Sequence, residues 1–498
     1  MSNEITNTSQ WSLVVHRVTS TSVEVWVGSL FPTLKKPDIA RVELTHGTGK
    51  HQIKKTKRIT REQWQRPFNK MTQRFFKVIK FTNLTPGKAY QLDFTRRVEA
   101  NGTAIPQRWQ SLKKGSFRTL PTRIPLKGKK PFTIALGSCF YNHRDGGRAA
   151  AAYKALYQRG PENVRPDITF LTGDQVYLDI GFDSLSLVPA EIRQRIANDY
   201  ALHWQAMGSI FANGGTWMLP DDHEFWNDYP FYKSAIPQLQ ALRLRHVRKA
   251  WDAAATDGVQ NIQRSSAFET FTIGKDLSVC IADFRSFRDD DGFTTPAILN
   301  KIKKWASELC SPGVFVTSQP LIVEENKGEK NLLSYKQQYA ALLESFTASG
   351  HDIVLLSGDV HFGRIATTQL GNDAKGPRLI EIVASPMSNL TYLNGIAADK
   401  PKSKPVNFPA PEVCRLNNWK PAKVTYNKLY QVSTKKGNIF SAYPKTRTRE
   451  HFMTISFSRN TTSGTIDLSA NAWRIRDTRG AQMLPAKDFS RTFTFKLK

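Results

Sequence analysis

Apolar and polar positions alternate with period two through much of the first 120 residues. SVEVWVGSL (22–30), ARVELTHG (40–47) and FFKVIKFTNL (75–84) each read as a half-buried strand. TPGKAYQLDF (85–94) adds a Pro-Gly turn and a further strand. Short strands punctuated by turns predict an all-β sandwich domain over residues 1–120. The basic, proline-containing stretch PTRIPLKGKKP (121–131) reads as a linker. From residue 132 the pattern changes. Short apolar runs such as FTIALGSC (132–139), DITFLTGDQ (167–175) and TWMLPDDHE (216–224) alternate with the helical periodicity of RAAAAYKALYQ (148–158) and PAEIRQRIANDYALHWQAM (189–207). FETFTIG (268–274) and LSVCIADF (277–284) read as a hairpin. GVFVTSQPL (313–321), HDIVLLSGDVH (351–361) and RLIEIVASP (378–386) read as buried strands, with the helix SYKQQYAALLESFTASG (334–350) between the first two. Strands alternating with helices predict an α/β core over roughly 132–400, within a second domain spanning 132–498. Residues 401–450, rich in Pro, Lys and Asn, read as a long loop region, and strands return at the C-terminal end.

Polar clusters recur where the apolar runs end: GSCFYNH (137–143), GDQVY (173–177), DDHEFWND (221–228), DFRSFR (283–288) and GDVH (358–361). In open α/β sheets, ligands bind at the carboxyl ends of strands, so five such clusters in one domain point to one site. Asp174 can bridge two hard cations through its two oxygens, or cap a helix. Tyr177 offers a phenolate suited to a trivalent ion, or packs in the core. Asp221, Asp222, His223 and Glu224 place three carboxylates and an imidazole side by side. Burying that charge without a counter-ion is costly, so the group is either solvent-facing or coordinated. Asn227 and Asp228 can return further oxygen ligands. Asp359 and His361 share one face of an extended segment, in reach of a metal or a phosphate. Cys139 is a ligand, a nucleophile or an inert buried thiol. Arg285 suits a phosphate clamp because guanidinium pairs with phosphate in bidentate fashion, and Arg144 is a weaker candidate for the same task.

Composition narrows the setting. No apolar run is long enough to span a membrane, and the N-terminal stretch lacks the basic start and apolar core of a secretory signal. The chain as written therefore suggests a cytoplasmic protein, with a secreted mature form left open. The four cysteines form no Cys-x-x-Cys pair, which argues against a disulfide framework. Net charge is +29, enough to draw phosphate esters and polyanions. It is uneven: residues 101–130 hold eight basic residues and no acidic one. Residues 401–450 hold eleven basic residues against Glu412 and Glu450. No dedicated nucleic-acid motif is present, so nucleic acid enters only as a substrate.

Taken together, Gly137-Ser138-Cys139, Gly173-Asp174-Gln175-Val176-Tyr177, Asp221-Asp222-His223-Glu224, Asp283-Phe284-Arg285 and Gly358-Asp359-Val360-His361 resemble the PhoD-like alkaline phosphatases of the calcineurin-type metallophosphoesterase superfamily. The resemblance covers about residues 130–390. It implies a four-layer αββα core behind an N-terminal sandwich, and hydrolysis of phosphate mono- or diesters by metal-activated water. It implies an iron(III) ion (Fe3+) held by Cys139, Asp174 and Tyr177. Nearby calcium (Ca2+) would be served by Asp174, by Asp221 or Asp222, and by Asn227. Asp359 and His361 would complete the cluster. His223 would contact phosphate or act as general acid, and Arg285 would orient the phosphate. Pro220 stands where the family usually has Trp, and Asp228 where a second Asn is common. Two other readings compete: a cysteine hydrolase pairing Cys139 with His143 or His223, and a non-catalytic polyanion-binding protein that keeps a phosphatase-like shell.

Overall fold

The computed structural model describes residues 8–48, 52–98, 108–143, 145–180, 186–232, 237–325, 330–389, 391–392, 395–396, 403–430, 449–480, 483–489 and 492–498. Arg144 and residues 431–448 of the expected basic loop lie outside them.

Two large sheets face each other. The first is built around three parallel strands, β8 (Phe132–Gly137), β9 (Ile168–Thr172) and β10 (Gly215–Leu219). On one side the antiparallel hairpin His451–Asn460/Thr465–Arg479 continues it. On the other side come β1 (Ser12–His16), β2 (Val23–Ser29) and β5 (Phe75–Phe81). The second sheet runs β11 (Phe268–Ile273), β12 (Leu277–Ala282), β13 (Gly313–Val316), β14 (Ile353–Ser357), β16 (Arg378–Val383) and β15 (Gly363–Gln369), and ends on the strand Thr425–Tyr430. Here β12, β13, β14 and β16 are parallel, and the expected hairpin β11–β12 pairs in full register from Phe268↔Ala282 to Ile273↔Leu277.

Side-chain alternation explains the packing. On the first sheet Ile134, Leu136, Ile168, Phe170, Trp217 and Leu219 point inward, toward Val279, Ile281, Val314, Val316, Val354 and Leu356 of the second. The intervening residues Ala135, Leu171 and Met218 pack instead against helices α1 (Arg148–Arg159), α2 (Pro189–Phe211) and α3 (Arg245–Asp257). Phe315, Ile353 and Leu355 pack against α4 (Pro296–Ser307), α5 (Lys336–Ala348) and α6 (Pro411–Asn417). Strands covered on both faces read as continuous apolar runs.

The first 120 residues are not set apart as the sequence pattern suggests. β1 pairs in parallel with β10, so β1, β2 and β5 extend the central sheet. A separate four-stranded sheet of β3 (Ile39–His46), β4 (Ile53–Thr60), β6 (Ala89–Val98) and β7 (Arg108–Arg118) packs over them in one continuous core. Pairing β1 with β10 satisfies an edge that would otherwise be open. The expected long loop also carries structure: its described part, 403–430, holds α6, the strand pair Asn407–Phe408/Ala422–Lys423 and the last strand of the second sheet. Among the described residues, no helix is long and apolar enough to cross a membrane.

Candidate metal centre

The carboxyl ends of the parallel strands of both sheets meet at one place. β8 delivers Cys139, β9 Asp174, β10 Asp221 and Asp222, and β14 Asp359 and His361. Cys139, Asp174, Asp359 and His361 all have left-handed backbones (φ 54°, 57°, 66° and 55°). Non-glycine residues rarely adopt that region, and they do so mainly where surrounding structure imposes it at functional sites. Two glycines make close approaches between these strand ends feasible. Gly173 has φ +97°, and a Cβ there would lie 2.6 Å from Asp221 Cβ. A Cβ on Gly358 would fall 2.3 Å from Ser138 Cβ.

Three overlapping triads result: Cys139–Asp174–His361, Asp174–Asp222–His223 and Asp221–Asp222–Asp359. Within each, the ligand-capable atoms lie within 4.8 Å of one another. Asp174 and Asp222 each belong to two of them. The Cys139 thiol is 3.4 Å from Asp174 Oδ2 and 3.2 Å from the Asp359 carbonyl, and accepts from Ser385 Oγ at 3.2 Å. The Tyr177 hydroxyl donates to Asp174 Oδ2 at 3.4 Å, and its ring lies 4.4 Å from that of His223. Six of the residues expected as ligands (Cys139, Asp174, Asp221, Asp222, Asp359 and His361) therefore lie together, with Tyr177 beside them. Asn227 is placed at the rim, where its backbone N–H donates to Asp179 Oδ2 at 2.8 Å.

Electrostatics favour a cation. Asp174, Asp221, Asp222 and Asp359 crowd together with Arg285 as the buried cation among them. Asp174 Oδ1 and Asp221 Oδ2 are buried without a hydrogen-bond partner among the described residues, which is expensive unless something positive meets them. Burial, outweighing the pull of His223, raises the Asp174 carboxyl well above its ordinary value, with Asp222, Asp221 and Glu224 adding to the rise. Burial also raises Asp221, against the pull of Arg285. Burial acts upward on Asp222 too, but Arg285 and His223 outweigh it and hold that group low. Sulfur, carboxylate, phenol and imidazole donors around orphaned oxygens fit hard and borderline cations. Burial, then Asp174 and Asp359, push the Cys139 thiol well above its usual range. An activated cysteine nucleophile needs the opposite, which argues against the cysteine-hydrolase reading.

Two residues serve differently from their sequence reading, and two others had none. Glu224 is neither solvent-facing nor among the ligands. It is fully buried and accepts the backbone N–H groups of Asp174, Gln175, Val176 and Asp221. Arg285 is also fully buried: its Nε donates to Asp221 Oδ1 at 2.5 Å and Nη1 to the Tyr229 carbonyl at 3.0 Å. That makes it counter-ion to the acidic pair. Asp179 was passed over, yet its Oδ1 meets His223 Nδ1 at 2.7 Å. It sits five residues beyond Asp174 in the same strand-end cluster, which is the signal that could have found it. Gln319, at the end of β13, was also missed. It donates to Asp359 Oδ2 at 3.2 Å and receives Arg288 Nη2 at 2.5 Å.

A solved structure described as the structure of PhoD aligns with 100% of this chain and 92% of its own, with TM-score 0.64 and 15% identity. The fold is PhoD-like. A second structure, of a Bacteroides uniformis β-glucuronidase, aligns with 98% of this chain and 61% of its own at 7% identity, with TM-score 0.27. No family model and no curated protein matches the chain. A PhoD-like fold at this identity accounts for the architecture. The chemistry must be argued from the residues.

Proposed function

We propose that the protein is a metal-dependent phosphohydrolase that cleaves phosphate mono- or diesters within a four-layer αββα core. The observation that carries this reading is the set of three overlapping ligand triads around the orphaned oxygens of Asp174 and Asp221. Cys139, Asp174, Tyr177 and His361 would hold one cation, which the thiolate and phenolate suit to be iron(III). Asp221, Asp222, Asn227 and Asp359 would hold calcium, with Asp174 reaching both. Bound there, such cations neutralise phosphate oxygens and lower the pKa of a water nucleophile.

The remaining residues have roles of their own. His223, a member of the Asp174–Asp222–His223 triad, has its Nδ1 held by Asp179. Burial lowers its pKa, but Asp179, Asp222 and Asp174 outweigh burial and raise it well above the usual imidazole range. When protonated, His223 can give its Nε2 proton to a leaving alkoxide. Asp179 orients that ring. Arg285 fixes the Asp221 and Asp222 carboxylates; Asp283 Oδ1 accepts the Arg285 and Ser286 N–H groups in a turn that aims the guanidinium. The +29 net charge supports steering of anionic esters toward the site.

The test is hydrolysis of a chromogenic phosphodiester by iron- and calcium-loaded protein, beside Asp174→Asn and a chelator arm. Turnover lost in both arms supports the reading. A folded, metal-loaded protein that turns nothing over, yet binds long polyanions with strong salt dependence, would transfer it to the binding alternative.

A further inference from the structure

The C-terminal hairpin carries a buried string of ionic groups that the proposed chemistry leaves unused. Asp145 and Glu450 are each 0% exposed, and Arg476 lies between them. Arg476 Nε donates to Glu450 Oε2, and its Nη2 lies 3.6 Å from Asp145 Oδ1. Asp145 Oδ2 in turn accepts the Ala149 N–H at 3.3 Å, in the first turn of α1. The other Glu450 oxygen, Oε1, accepts the backbone N–H of Asn389 at 2.6 Å. Asn389 is fully buried, and its side-chain oxygen meets His361 Nδ1 at 2.7 Å.

An amide oxygen can only accept. With Asn389 Oδ1 facing it, His361 Nδ1 would carry the ring proton and Nε2 would keep the lone pair that a cation needs. The His361 backbone N–H is anchored separately, on Ser385 Oγ at 3.0 Å. Two strand ends of the second sheet thus fix this imidazole, β14 through its backbone and β16 through Asn389. A third element, the hairpin from the first sheet, fixes Asn389 itself. Burying the Asp145 and Glu450 carboxylates is costly without a cation, and the largely buried Arg476 guanidinium lies between them.

We propose that Asn389 is a positioning residue for His361, selecting the tautomer whose Nε2 can ligate a cation, and that the string Asp145–Arg476–Glu450 holds Asn389 in register. The inference rests on the reading of Cys139–Asp174–His361 as a cation site. Groups that orient a ligating histidine from behind are worth about 10–100-fold in metal affinity.

The experiment has two arms on the full chain. In the first, Co2+ is titrated into metal-free wild type, Asn389→Leu and Asn389→Asp, and read by visible absorption. Asn389→Leu keeps the size and removes the acceptor, so its Co2+ affinity should fall about 10–100-fold. Asn389→Asp still accepts from Nδ1 and should stay within about threefold of wild type, because the orienting contact is retained. In the second arm, long-range 1H–15N spectra of metal-free wild type, assigned with His361→Gln, should show the Nδ1–H tautomer at His361. A folded Asn389→Leu that binds Co2+ as tightly as wild type overturns the proposal. So does an Nε2–H tautomer in wild type, a measurement that needs no variant to fold. Wild type that binds Co2+ nowhere and hydrolyses nothing would count against the phosphohydrolase reading, and the spectra would still decide the tautomer.

Discussion

Replacing Glu224 by Gln isolates what holds the metal-ligand loops together. Glu224 Oε2 accepts the N–H groups of Asp174 and Asp221, each at 2.9 Å. Oε1 accepts those of Gln175 at 2.6 Å and Val176 at 3.2 Å, and Gln263 Nε2 at 3.0 Å. One carboxylate therefore ties the end of β9 to the end of β10. Glutamine has the same shape, but one oxygen becomes an NH2 that faces donors. The less damaging orientation puts that NH2 at the Oε2 position and strands the Asp174 and Asp221 N–H groups. A buried donor left unpaired costs about 1–3 kcal/mol, so two give about 2–6 kcal/mol. The assay is urea unfolding followed by tryptophan fluorescence at pH 8. Burial, opposed by the donated N–H groups, pushes the Glu224 carboxyl up to about 7, so at that pH wild type is compared as the carboxylate. The kcat/KM for a chromogenic phosphodiester should fall as well, because both stranded amides belong to ligand residues. A Glu224→Gln protein within about 1 kcal/mol of wild type would refute the reasoning, since each lost bond alone should cost that much.

Arg285→Met should cost about 3–5 kcal/mol in the same unfolding assay, because it leaves Asp221 and Asp222 buried without their cation; saturating Ca2+ should recover part of the loss, and an unchanged midpoint would count against the counter-ion role. Burial lowers His16 to about 3 and His203 and His451 to about 4, from 6.5. The unfolded chain binds these protons first, so the contribution of these three histidines to stability should be flat above pH 6.5 and fall between pH 6.5 and 4. His203, lowered to about 4, contributes about 3 kcal/mol to that fall, and a His203→Gln variant with the wild-type slope would contradict it. Gly358→Ala should fail to fold or lose more than about 3 kcal/mol, because its Cβ would meet Ser138 at 2.3 Å and the Thr172 carbonyl at 2.7 Å. Gly208→Ala, in the last turn of α2 with open space around it, should instead gain up to about 0.5–1 kcal/mol, read from the shift in urea midpoint.

Periodicity and strand-end chemistry made much of the molecule legible. The inward and outward positions of β8, β9, β10, β13 and β14 follow from period two alone, because a pleated strand has no other choice. Helices α1, α2 and α5 begin and end close to their apolar stripes, and Pro189 marks the first residue of α2 as its fixed φ favours. Helices α3 and α4 went unread, although their buried stripes (Val247, Trp251, Ala254 and Ile298, Ile302, Trp305) have helical spacing. The ligand candidates were visible because clustered polar residues after buried apolar runs have few structural uses.

What the sequence by itself determined was the chemistry on offer: which strands exist, and that each of several ends in a carboxylate, imidazole or thiol. Tertiary structure decided which of those groups share a site and which support it. Period-two alternation looks the same in a free-standing sandwich and at the margin of a central sheet, so only the parallel pairing of β1 with β10 joined the N-terminal strands to the core. Likewise Glu224, Arg285 and Asp179 carry charges that could meet a cation, a phosphate or solvent. Long-range contacts settled their partners: a cluster of backbone amides for Glu224, the acidic pair for Arg285, and an imidazole for Asp179. The physical reason is distance along the chain. Local sequence fixes which backbone conformation and which face a side chain takes, whereas the partner of a buried charge is supplied by segments brought together only when the two sheets close on each other.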